Sequence, residues 1–553
     1  MFGSVPDTLF IYIISIYYFY KSSIYKNILL TVKLPFIMSD QSAKFIEKIQ
    51  VSYKPTGPCI YLGAGMLDGQ VLADAEVNLS LKMMNRHGLI AGATGTGKTR
   101  TLQLLAEQLS DAGVPVFMLD VKGDLSGLNK PGSINPKIEE RAAQLNKPFS
   151  PSGFPVEIYS LSGKLGAQMR ATILEFGPTL LAKILDLNDT QTGVLAVIFK
   201  YADDNKLPVI NLNDLKKLVS YLADGMGADE IKESYGKISA ATSGTILRKI
   251  VTIEQQGLGA MFGETSFDIE DLFGKTDGKG VISLLNISDV QNQPVLYSTY
   301  LLSLLAEIFY SMPEVGDLDK PKLVFFFDEA HLLFKNSSKT FLEQIETIIR
   351  LIRSKGIGVF FCTQAPTDVP ESVLSQLGNR VQHALRAFTP NDVDALRKTV
   401  NTYPKSEFYE IDKILTSLGT GQALITVLNE KGIPTEVSAT MLTPPRAIMG
   451  PLSIADYNSL IQASSLTEKY EKSIDPESAY EILTKRVNDK LAEEQDEAVQ
   501  EEVSSKKAEK SIVEQVMGAT ITRQIGKEIV RGIFGMLTGK KPRSTGGKGF
   551  FGF

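Results

Sequence analysis

One eight-residue stretch restricts the fold of this chain more than any other. GATGTGKT, from Gly92 to Thr99, matches the pattern G-x-x-x-x-G-K-[ST] at every fixed position. The apolar segment HGLIA precedes it, and Leu102, Leu105 and Leu109 follow it at helical spacing. A phosphate-binding loop needs this context, a buried strand before the glycines and an amphipathic helix after them. The stretch therefore predicts an α/β domain with a nucleotide site.

Each residue type in this loop has a chemical purpose. The glycines let the backbone curl so that its N–H groups face the phosphates. Lys98 reaches the β- and γ-phosphates, and the Thr99 hydroxyl is a ligand for Mg²⁺. We therefore predict that ATP and Mg²⁺ bind here. The predicted nucleotide-binding residues are Gly92, Ala93, Thr94, Gly95, Thr96, Gly97, Lys98 and Thr99.

Apolar runs and helical patterns extend the α/β prediction along the chain. VPVFMLD, KGVISLLNIS, KLVFFF and IGVFFCTQ are typical of buried strands, and STYLLSLLAEIFYSM is typical of a helix. A late hairpin is expected around Asn429–Gly432. Residues 169–263 are helical in pattern. The expected fold is a mainly parallel sheet with a helical insert at about 169–263.

Changes in composition suggest further segments on both sides of this core. We predict a small N-terminal β segment at 38–85, with IQVSY and CIYLG as strands, and a core at 86–450. A charged helical linker is expected at 451–511. The segment 512–553 combines apolar residues at helical spacing with a basic end, which predicts an amphipathic tail.

Residues 1–37 are apolar and differ in amino-acid composition from the sequence that begins at Met38. Their longest apolar run, Thr8 to Tyr20, is shorter than the ~17–25 residues that span a bilayer. It also lacks the basic start and the small-residue cleavage site of a signal peptide. We favour a non-native or disordered extension over a membrane anchor.

The overall composition excludes some classes of protein. The formal net charge is −5, so no basic field covers the whole chain, although local basic loops could still contact nucleic acid. Cys59 and Cys362 are the two cysteines, too few for a disulfide framework. We expect a cytoplasmic protein with both thiols reduced and without a zinc site.

The stretch LVFFFDEAHLLF, Leu323 to Phe334, predicts the second half of the nucleotide site. Its first five residues are apolar without alternation, as in a strand buried on both faces. Asp328 ends that strand and is predicted to hold Mg²⁺. Glu329, one residue further, is placed to polarise the attacking water. His331 either couples this site to a partner or packs under the following helix.

The letters DEAH also occur in two-lobed helicases, but the spacing argues against that class. About 230 residues separate Lys98 from Asp328, where those helicases have about a hundred. No Ser-Ala-Thr motif follows, and too little chain remains after Gln364 for a second lobe. The four letters therefore mark the end of a core strand in a one-lobed enzyme.

Several motifs in order resemble another group, the HerA/FtsK superfamily of ring-forming translocases. They are VFMLDVKGDLSGL, FFFDEAHLLF and RLIRSKGIGVFFCTQAPTDVP. The chain is most similar to bacterial proteins with a helicase HerA-like C-terminal domain, over roughly residues 85–450. The resemblance implies a RecA/ASCE-type P-loop NTPase fold with a helical C-terminal tail. HerA proteins also have an N-terminal β-barrel, for which residues 38–85 are too short.

The resemblance also implies further site residues. The polar residue that ends the strand beside Asp328 corresponds to Gln364, whose amide senses the γ-phosphate or orients water. An arginine that reaches the neighbouring subunit's nucleotide corresponds to Arg353, and Arg380 is a second candidate. Lys122 and Asp124 of DVKGDL are expected near a subunit interface, although a plain turn explains Gly123 and Asp124 equally well.

These features favour an ATPase that assembles into a homo-oligomer, expected to be a hexamer, and moves DNA. A HerA-like ATPase that acts on protein is an alternative, which the mild net acidity permits. A nucleotide-gated scaffold or a nucleotide kinase is a third, against which Glu329 argues. The sequence does not select the polymer, the direction of movement or the ring size.

Overall fold

The computed structural model describes residues 40–509, apart from 335–338, 473 and 475. The predicted extension at 1–37 and the predicted tail at 512–553 lie outside these residues. The chain divides after Ile482 into two compact units. The described residues of the second unit belong to a long helix.

Twelve strands of the first unit form one sheet, and two short strands pair separately. In chain order the strands are β1 (Cys59–Leu67), β2 (Gln70–Ser80), β3 (Gly88–Ala91), β4 (Val116–Asp120), β5 (Val156–Ser160), β6 (Ala167–Gln168), β7 (Lys275–Thr276), β8 (Lys279–Gly280), β9 (Ile282–Asn286), β10 (Leu323–Phe327), β11 (Ile357–Thr363), β12 (Asn379–Gln382), β13 (Gln422–Thr426) and β14 (Ser438–Leu442). The order across the sheet is β2-β1-β14-β13-β12-β3-β11-β10-β4-β9-β5-β6.

The sheet has a parallel part and an antiparallel part. From β12 to β6 all neighbours run parallel, whereas the pairs from β2 to β12 run antiparallel. The strands predicted at VPVFMLD, KLVFFF and IGVFFCTQ lie together in the parallel part as β4, β10 and β11. The predicted α/β fold with a mainly parallel sheet is confirmed. The predicted late hairpin is also present, as the antiparallel pair β13 and β14.

The helices cover the sheet and form the region between β6 and β7. They are α1 (Asp40–Ser52), α2 (Lys98–Asp111), α3 (Pro136–Gln144), α4 (Ile173–Ile184, bent at Gly177), α5 (Asp189–Asp204), α6 (Leu212–Ala223), α7 (Ala228–Ser234), α8 (Ala240–Gln255), α9 (Pro294–Ser311), α10 (His331–Phe334), α11 (Lys339–Ile352), α12 (Glu371–Leu374), α13 (Pro390–Val400), α14 (Ile411–Ser417), α15 (Ile454–Ala463), α16 (Ser465–Glu471) and α17 (Ala479–Glu509). Helices α4 to α8 lie within the stretch whose pattern predicts helices. Among residues 40–509, leaving out the gaps named above, no helix is both long and apolar enough to cross a bilayer.

The N-terminal segment differs from the strands expected there. The predicted strand IQVSY is wrong, because Ile49 to Ser52 form the last turn of α1. Phe45 and Ile49 are fully buried four residues apart, whereas Lys48 between them is exposed. That spacing places the two apolar side chains on one helical face, and a short apolar run does not distinguish this from a strand. The predicted strand at CIYLG is present in β1, which pairs with β14 and so extends the main sheet.

Strand β10 shows why the parallel part forms a core. All five residues of LVFFF are buried. On one face the Phe326 ring lies 5.3 Å from the Phe360 ring, and on the other the Phe325 ring lies 5.0 Å from the Phe117 ring. Burial of each ring contributes roughly 1.5–3 kcal/mol. This packing fixes β10 between β4 and β11, with its carboxyl end beside theirs.

Candidate active site

The glycine-rich loop begins where β3 ends, at Gly92, and leads directly into α2. Gly97, just before the helix, has φ 117°, a conformation that a residue with a Cβ rarely adopts. A Cβ on Gly92 would lie 2.5 Å from the Cβ of His383, so the loop passes too close to its support for any side chain. The glycine pattern in the sequence therefore reflects both a backbone conformation and a close approach.

Hydrogen bonds from neighbouring strands hold the loop in place. The backbone N–H of Gly92 donates to Thr363 O at 3.2 Å, and the N–H of Ala93 donates to Ala384 O at 2.8 Å. Lys98 folds back over the loop, and its Nζ donates to Gly92 O at 2.7 Å. These bonds tie the loop to the carboxyl ends of β11 and β12. Hydrogen bonds within the chain therefore fix the shape of the loop.

Asp328 follows β10 at the same edge of the sheet. It is 7% exposed, and the Cys362 thiol on β11 donates a hydrogen bond to its carboxylate. Burial raises the pKa of Asp328, and the nearby Glu329 carboxylate adds to the rise, against the hydrogen bonds that lower it. A bound cation would offset this cost of burying a negative charge.

Glu329 has an unusual backbone conformation and lies between a lysine and a histidine. Its φ is +48°, in the left-handed region that non-glycine residues rarely occupy. Its Oε1 lies 3.5 Å from Lys122 Nζ, and its Oε2 lies 3.5 Å from His331 Nδ1. Oε2 is buried and accepts no hydrogen bond from any described residue. Such a strained, incompletely bonded carboxylate is typical of functional sites.

Lys122 reaches Glu329 from the loop after β4. Asp120, 2% exposed, organises that loop through its carboxylate, which accepts hydrogen bonds from the backbone N–H groups of Gly123, Asp124 and Leu125. Burial raises the pKa of Asp120 to about 6. Burial lowers the pKa of Lys122, but the carboxylates of Glu329 and Asp328 outweigh it, and the net pKa is raised. Lys122 is therefore a cation held beside Glu329.

Gln364 directly follows β11 and is exposed at the same edge. It lines a cleft of about 810 Å³ together with Ala93, His331 and Arg386. The cleft thus joins the first residues of the glycine-rich loop to the segment after Asp328. The sequence analysis did not single out Arg386, whose guanidinium donates to Thr416 O at 3.2 Å.

The two candidate arginines lie at the other edge of the sheet. Arg353 precedes the first residue of β11, whereas the glycine-rich loop follows the last residue of the parallel strand β3. The seven residues of β11 span roughly 20 Å, so Arg353 does not join the loop of its own chain. Arg380, near the start of β12, donates to Leu377 O at 3.4 Å and to Thr402 O at 3.3 Å.

Arg353 is exposed, and no described carboxylate forms a salt bridge with it. Burial and the neighbouring Arg86 lower its pKa, while Asp317 has the opposite effect. His87, the residue before β3, links this region to the sheet. Its Nε2 donates to Ile349 O at 2.7 Å, and its Nδ1 accepts from Val359 N at 3.1 Å. Arg353 therefore extends from a turn that His87 anchors to the sheet, and it has no salt-bridge partner among the described residues.

His383 is a residue that the sequence analysis missed. It is fully buried under the glycine-rich loop, and its Nδ1 lies 3.0 Å from Gln422 O, a group that only accepts hydrogen bonds. Nδ1 must therefore carry the proton, which leaves Nε2 to accept from the Thr101 hydroxyl at 2.9 Å. Burial lowers the pKa of His383 to about 4, so the ring is neutral at pH 7. His383 lies far from the glycine-rich loop in the sequence, and no sequence pattern indicates that it supports the loop.

The described groups suit Mg²⁺. Thr99 lies in the first turn of α2, and Asp328 provides a buried carboxylate at the end of β10, which β11 separates from β3 in the sheet. Hydroxyl and carboxylate oxygens are the ligands that Mg²⁺ prefers in proteins. The unbonded Oε2 of Glu329 adds a further oxygen at this edge. These residues could hold a magnesium ion at the site.

Comparisons with known proteins show the family of this chain. The chain matches the family described as "Helicase HerA-like C-terminal" over residues 66–543 and belongs to it. The resemblance drawn from the sequence motifs is confirmed, and the chain is an ATPase with a RecA/ASCE-type P-loop fold.

Individual relatives are distant. The DNA double-strand break repair helicase HerA of Sulfolobus acidocaldarius is 23% identical over 428 residues, which cover 73% of this chain and 72% of that protein. The DNA import protein CedB of the same organism is 24% identical over 419 residues, which cover 73% of this chain and 59% of CedB. The chain thus spans less than two thirds of CedB.

The chain also matches a structure of the plasmid coupling protein TrwB in complex with the ATP analogue ADPNP. The match covers 73% of this chain and 95% of the TrwB chain. The sequence identity is 13% and the TM-score is 0.45.

Proposed function

We propose that this ATPase is a ring motor of the HerA/FtsK kind that hydrolyses MgATP at sites shared between neighbouring copies and moves DNA. The observation that carries the proposal is the separation of the site residues between two edges of one sheet. The loop, Asp328, Glu329 and Gln364 lie at the carboxyl edge, and Arg353 lies at the amino edge. A hydrolytic site that needs all of them requires a second copy of the chain.

The residues of one copy account for binding and for activation of water. The loop N–H groups and Lys98 bind the phosphates, and Thr99 and Asp328 hold Mg²⁺. The ion, when bound, neutralises charge on the β- and γ-phosphates. Glu329 accepts a proton from the attacking water, and the Gln364 amide orients that water or senses the γ-phosphate. For this role Glu329 must exchange the cation Lys122 for a water molecule.

The neighbouring copy supplies Arg353. Its guanidinium is exposed and unpaired by any described carboxylate, so it remains available to stabilise negative charge on the γ-phosphate of an adjacent copy. An arginine in trans is worth about 10³–10⁵ in rate. Arg380, whose guanidinium donates to two backbone carbonyls, is the less suitable of the two candidates.

Subunit mixing tests the shared site. Lys98→Ala and Arg353→Ala should each be nearly inactive, but a one-to-one mixture should recover activity. The recovery arises where an intact loop faces an intact arginine, which random assembly places at about a quarter of the interfaces. Arg350→Ala, an exposed arginine one turn earlier, is the matched control and should retain activity. A mixture as inactive as its components would contradict the shared site.

The choice of DNA as the polymer is supported by the printed functions of the relatives, a repair helicase and a DNA import protein. The test is ATPase rate against protein concentration, with and without duplex DNA, at low and high salt. DNA should raise the rate, and salt should reduce the stimulation, because phosphate contacts release counterions. Absence of stimulation and of binding at low salt would favour a protein substrate instead.

A further inference from the structure

Two openings lie at opposite ends of the glycine-rich loop. The cleft described above begins at Ala93, the second residue of the loop. A smaller slot of about 240 Å³ begins at Gly97, the last residue before α2, and continues along Thr101 and Leu104 of that helix. The slot shares Gly97 with the nucleotide site, and its other lining residues are not among the predicted nucleotide-binding residues.

The position of the hydrolytic residues orients a nucleotide between these openings. Gln364 and His331 line the cleft, next to the strand end that bears Asp328 and Glu329. The γ-phosphate must lie towards the residues that hydrolyse it. The opposite end of the nucleotide then leaves the loop past Gly97, which is where the slot begins.

The lining of the slot suits a flat, apolar group with a polar rim. Leu104 and Ile138 contribute aliphatic side chains, and Pro444 and Met449 line the slot from the segment after β14. Arg141 from α3 adds a guanidinium. A planar guanidinium beside aliphatic side chains is a common platform for a nucleobase, because it stacks on the face of the aromatic ring.

Arg141 is held in place by carbonyl groups that are themselves tied to the loop. Its Nη2 donates to Thr420 O at 3.1 Å and its Nη1 donates to Gly421 O at 3.4 Å. The N–H of Gly421 donates to Thr96 O at 3.0 Å. A Cβ on Gly421 would lie 2.2 Å from Arg141 Nη1, so glycine leaves room for the guanidinium. The wall of the slot and the glycine-rich loop therefore form one hydrogen-bonded unit.

We propose that this slot binds the nucleoside end of the nucleotide, with the base packed against the Arg141 guanidinium and the aliphatic side chains of Leu104 and Met449. The inference rests on the proposed function, since it takes the phosphates to bind on the loop. Under this proposal, residues of α3 and of the segment after β14, which lie outside the glycine-rich loop, contribute to nucleotide affinity.

The test compares ATP with inorganic tripolyphosphate, which has the same phosphate chain and no nucleoside. Binding of each to the full chain is measured by calorimetry in the presence of Mg²⁺. Wild type should bind ATP at least tenfold more tightly than tripolyphosphate. Arg141→Ala should weaken ATP binding about fivefold to tenfold, as expected for loss of a cation–π contact, and leave tripolyphosphate binding unchanged.

A second variant and two controls keep the test decisive. Met449→Trp places a large ring at a 41% exposed position of the slot and should also weaken ATP binding alone. Arg397→Ala, an exposed arginine on α13, should change neither ligand. Lys98→Ala should weaken both ligands. Thermal unfolding of each variant checks that it is folded.

The outcomes separate the two proposals. If Arg141→Ala and Met449→Trp leave ATP affinity unchanged while Lys98→Ala weakens both ligands, the slot proposal fails and the loop assignment survives. Equal weakening of ATP and tripolyphosphate by Arg141→Ala would also overturn the slot, because the contact would then act through the phosphates. If Lys98→Ala changes neither ligand, the proposed function itself fails.

Discussion

The two edges of the parallel sheet differ in how their polar groups are satisfied. At the carboxyl edge, loop amides, Lys98 and His383 form hydrogen bonds within the chain, whereas Glu329 Oε2 is buried without a hydrogen-bond partner among the described residues. At the amino edge, the Arg353 side chain is exposed, and its pKa is lowered by partial desolvation and by the neighbouring Arg86. One edge is held by hydrogen bonds within the chain, and the other presents an arginine that forms no salt bridge with any described carboxylate.

This difference teaches how one sheet could serve two nucleotide sites. Parallel strands place all their carboxyl ends at one edge, so residues that bind and hydrolyse a nucleotide collect there. A group at the amino edge lies roughly 20 Å away, so in the proposed ring it acts on the nucleotide of another copy. We therefore expect the two edges to respond differently to substitution.

The largest effect is expected at the carboxyl edge, for Glu329→Gln. Loss of the general base should lower ATP turnover by about 10²–10⁴, while ATP binding persists because the loop is intact. Phosphate release and equilibrium binding measure the two quantities separately. Glu371→Gln, an exposed carboxylate on α12, should have no effect. Full turnover in Glu329→Gln would instead favour the nucleotide-gated scaffold.

The histidines sharpen the comparison through pH, since His383 supports one edge and His87 the other. Burial lowers the pKa of each ring to about 4. Between about pH 6.5 and pH 4, these two histidines are protonated in the unfolded chain but remain neutral in the folded chain. The free energy of unfolding therefore decreases as the pH falls through this range. Each histidine lowers the free energy of unfolding by up to about 3 kcal/mol over this range. Below pH 4 these two histidines cause no further loss.

Urea unfolding at pH 7 and pH 4 measures this loss in wild type, His383→Asn and His87→Asn. Each variant should show a smaller decrease between the two pH values than wild type does. Nucleotide affinity at pH 7 should fall in His383→Asn alone, because only that ring supports the glycine-rich loop. An unchanged pH dependence in both variants would contradict neutral buried rings.

A smaller effect is expected for Gln364→Ala. Removing an amide that orients water or contacts the γ-phosphate should lower turnover about tenfold to a hundredfold, with little change in ATP affinity. Steady-state kinetics separates turnover from KM. Thr367→Ala, exposed in the same cleft, is the matched control. A rise in KM at constant turnover would assign Gln364 to binding instead.

The smallest effect is expected at the amino edge, for Arg380→Ala. This substitution removes hydrogen bonds to Leu377 O and Thr402 O, which should cost about 1 kcal/mol of stability. Turnover should stay within about twofold of wild type, in contrast to Arg353→Ala. A thermal melt and an ATPase assay test both values. A large loss of turnover in a folded Arg380→Ala protein would indicate that Arg380, and not Arg353, acts on the nucleotide of the neighbouring copy.

Some features could be predicted from the sequence because local residues determine them. The glycines of the loop specify a backbone that other residues avoid, and the apolar run LVFFF specifies a strand buried on both faces. The strand IQVSY was predicted wrongly, since a short apolar run does not reveal whether Phe45 and Ile49 share a helical face. A motif with fixed residue types therefore predicts local backbone structure more reliably than a short hydrophobic run does.

Other features depend on contacts between distant parts of the chain. Lys122 and Glu329 are about two hundred residues apart and meet because β4 and β10 are neighbours. His383 supports the loop because β12 lies beside β3. No local pattern encodes either pairing, since each follows from the strand order.

The sequence by itself determined the pattern of the loop, the two carboxylates that follow β10 and the family, because these depend on residue types at fixed short spacings. Only the tertiary structure decided which edge each group occupies. Strand order and direction place Gln364 beside the loop and Arg353 at the opposite edge, although the two are only eleven positions apart in the chain. The physical reason is that a strand carries its two ends to opposite edges of the sheet, at about 3.3 Å per residue.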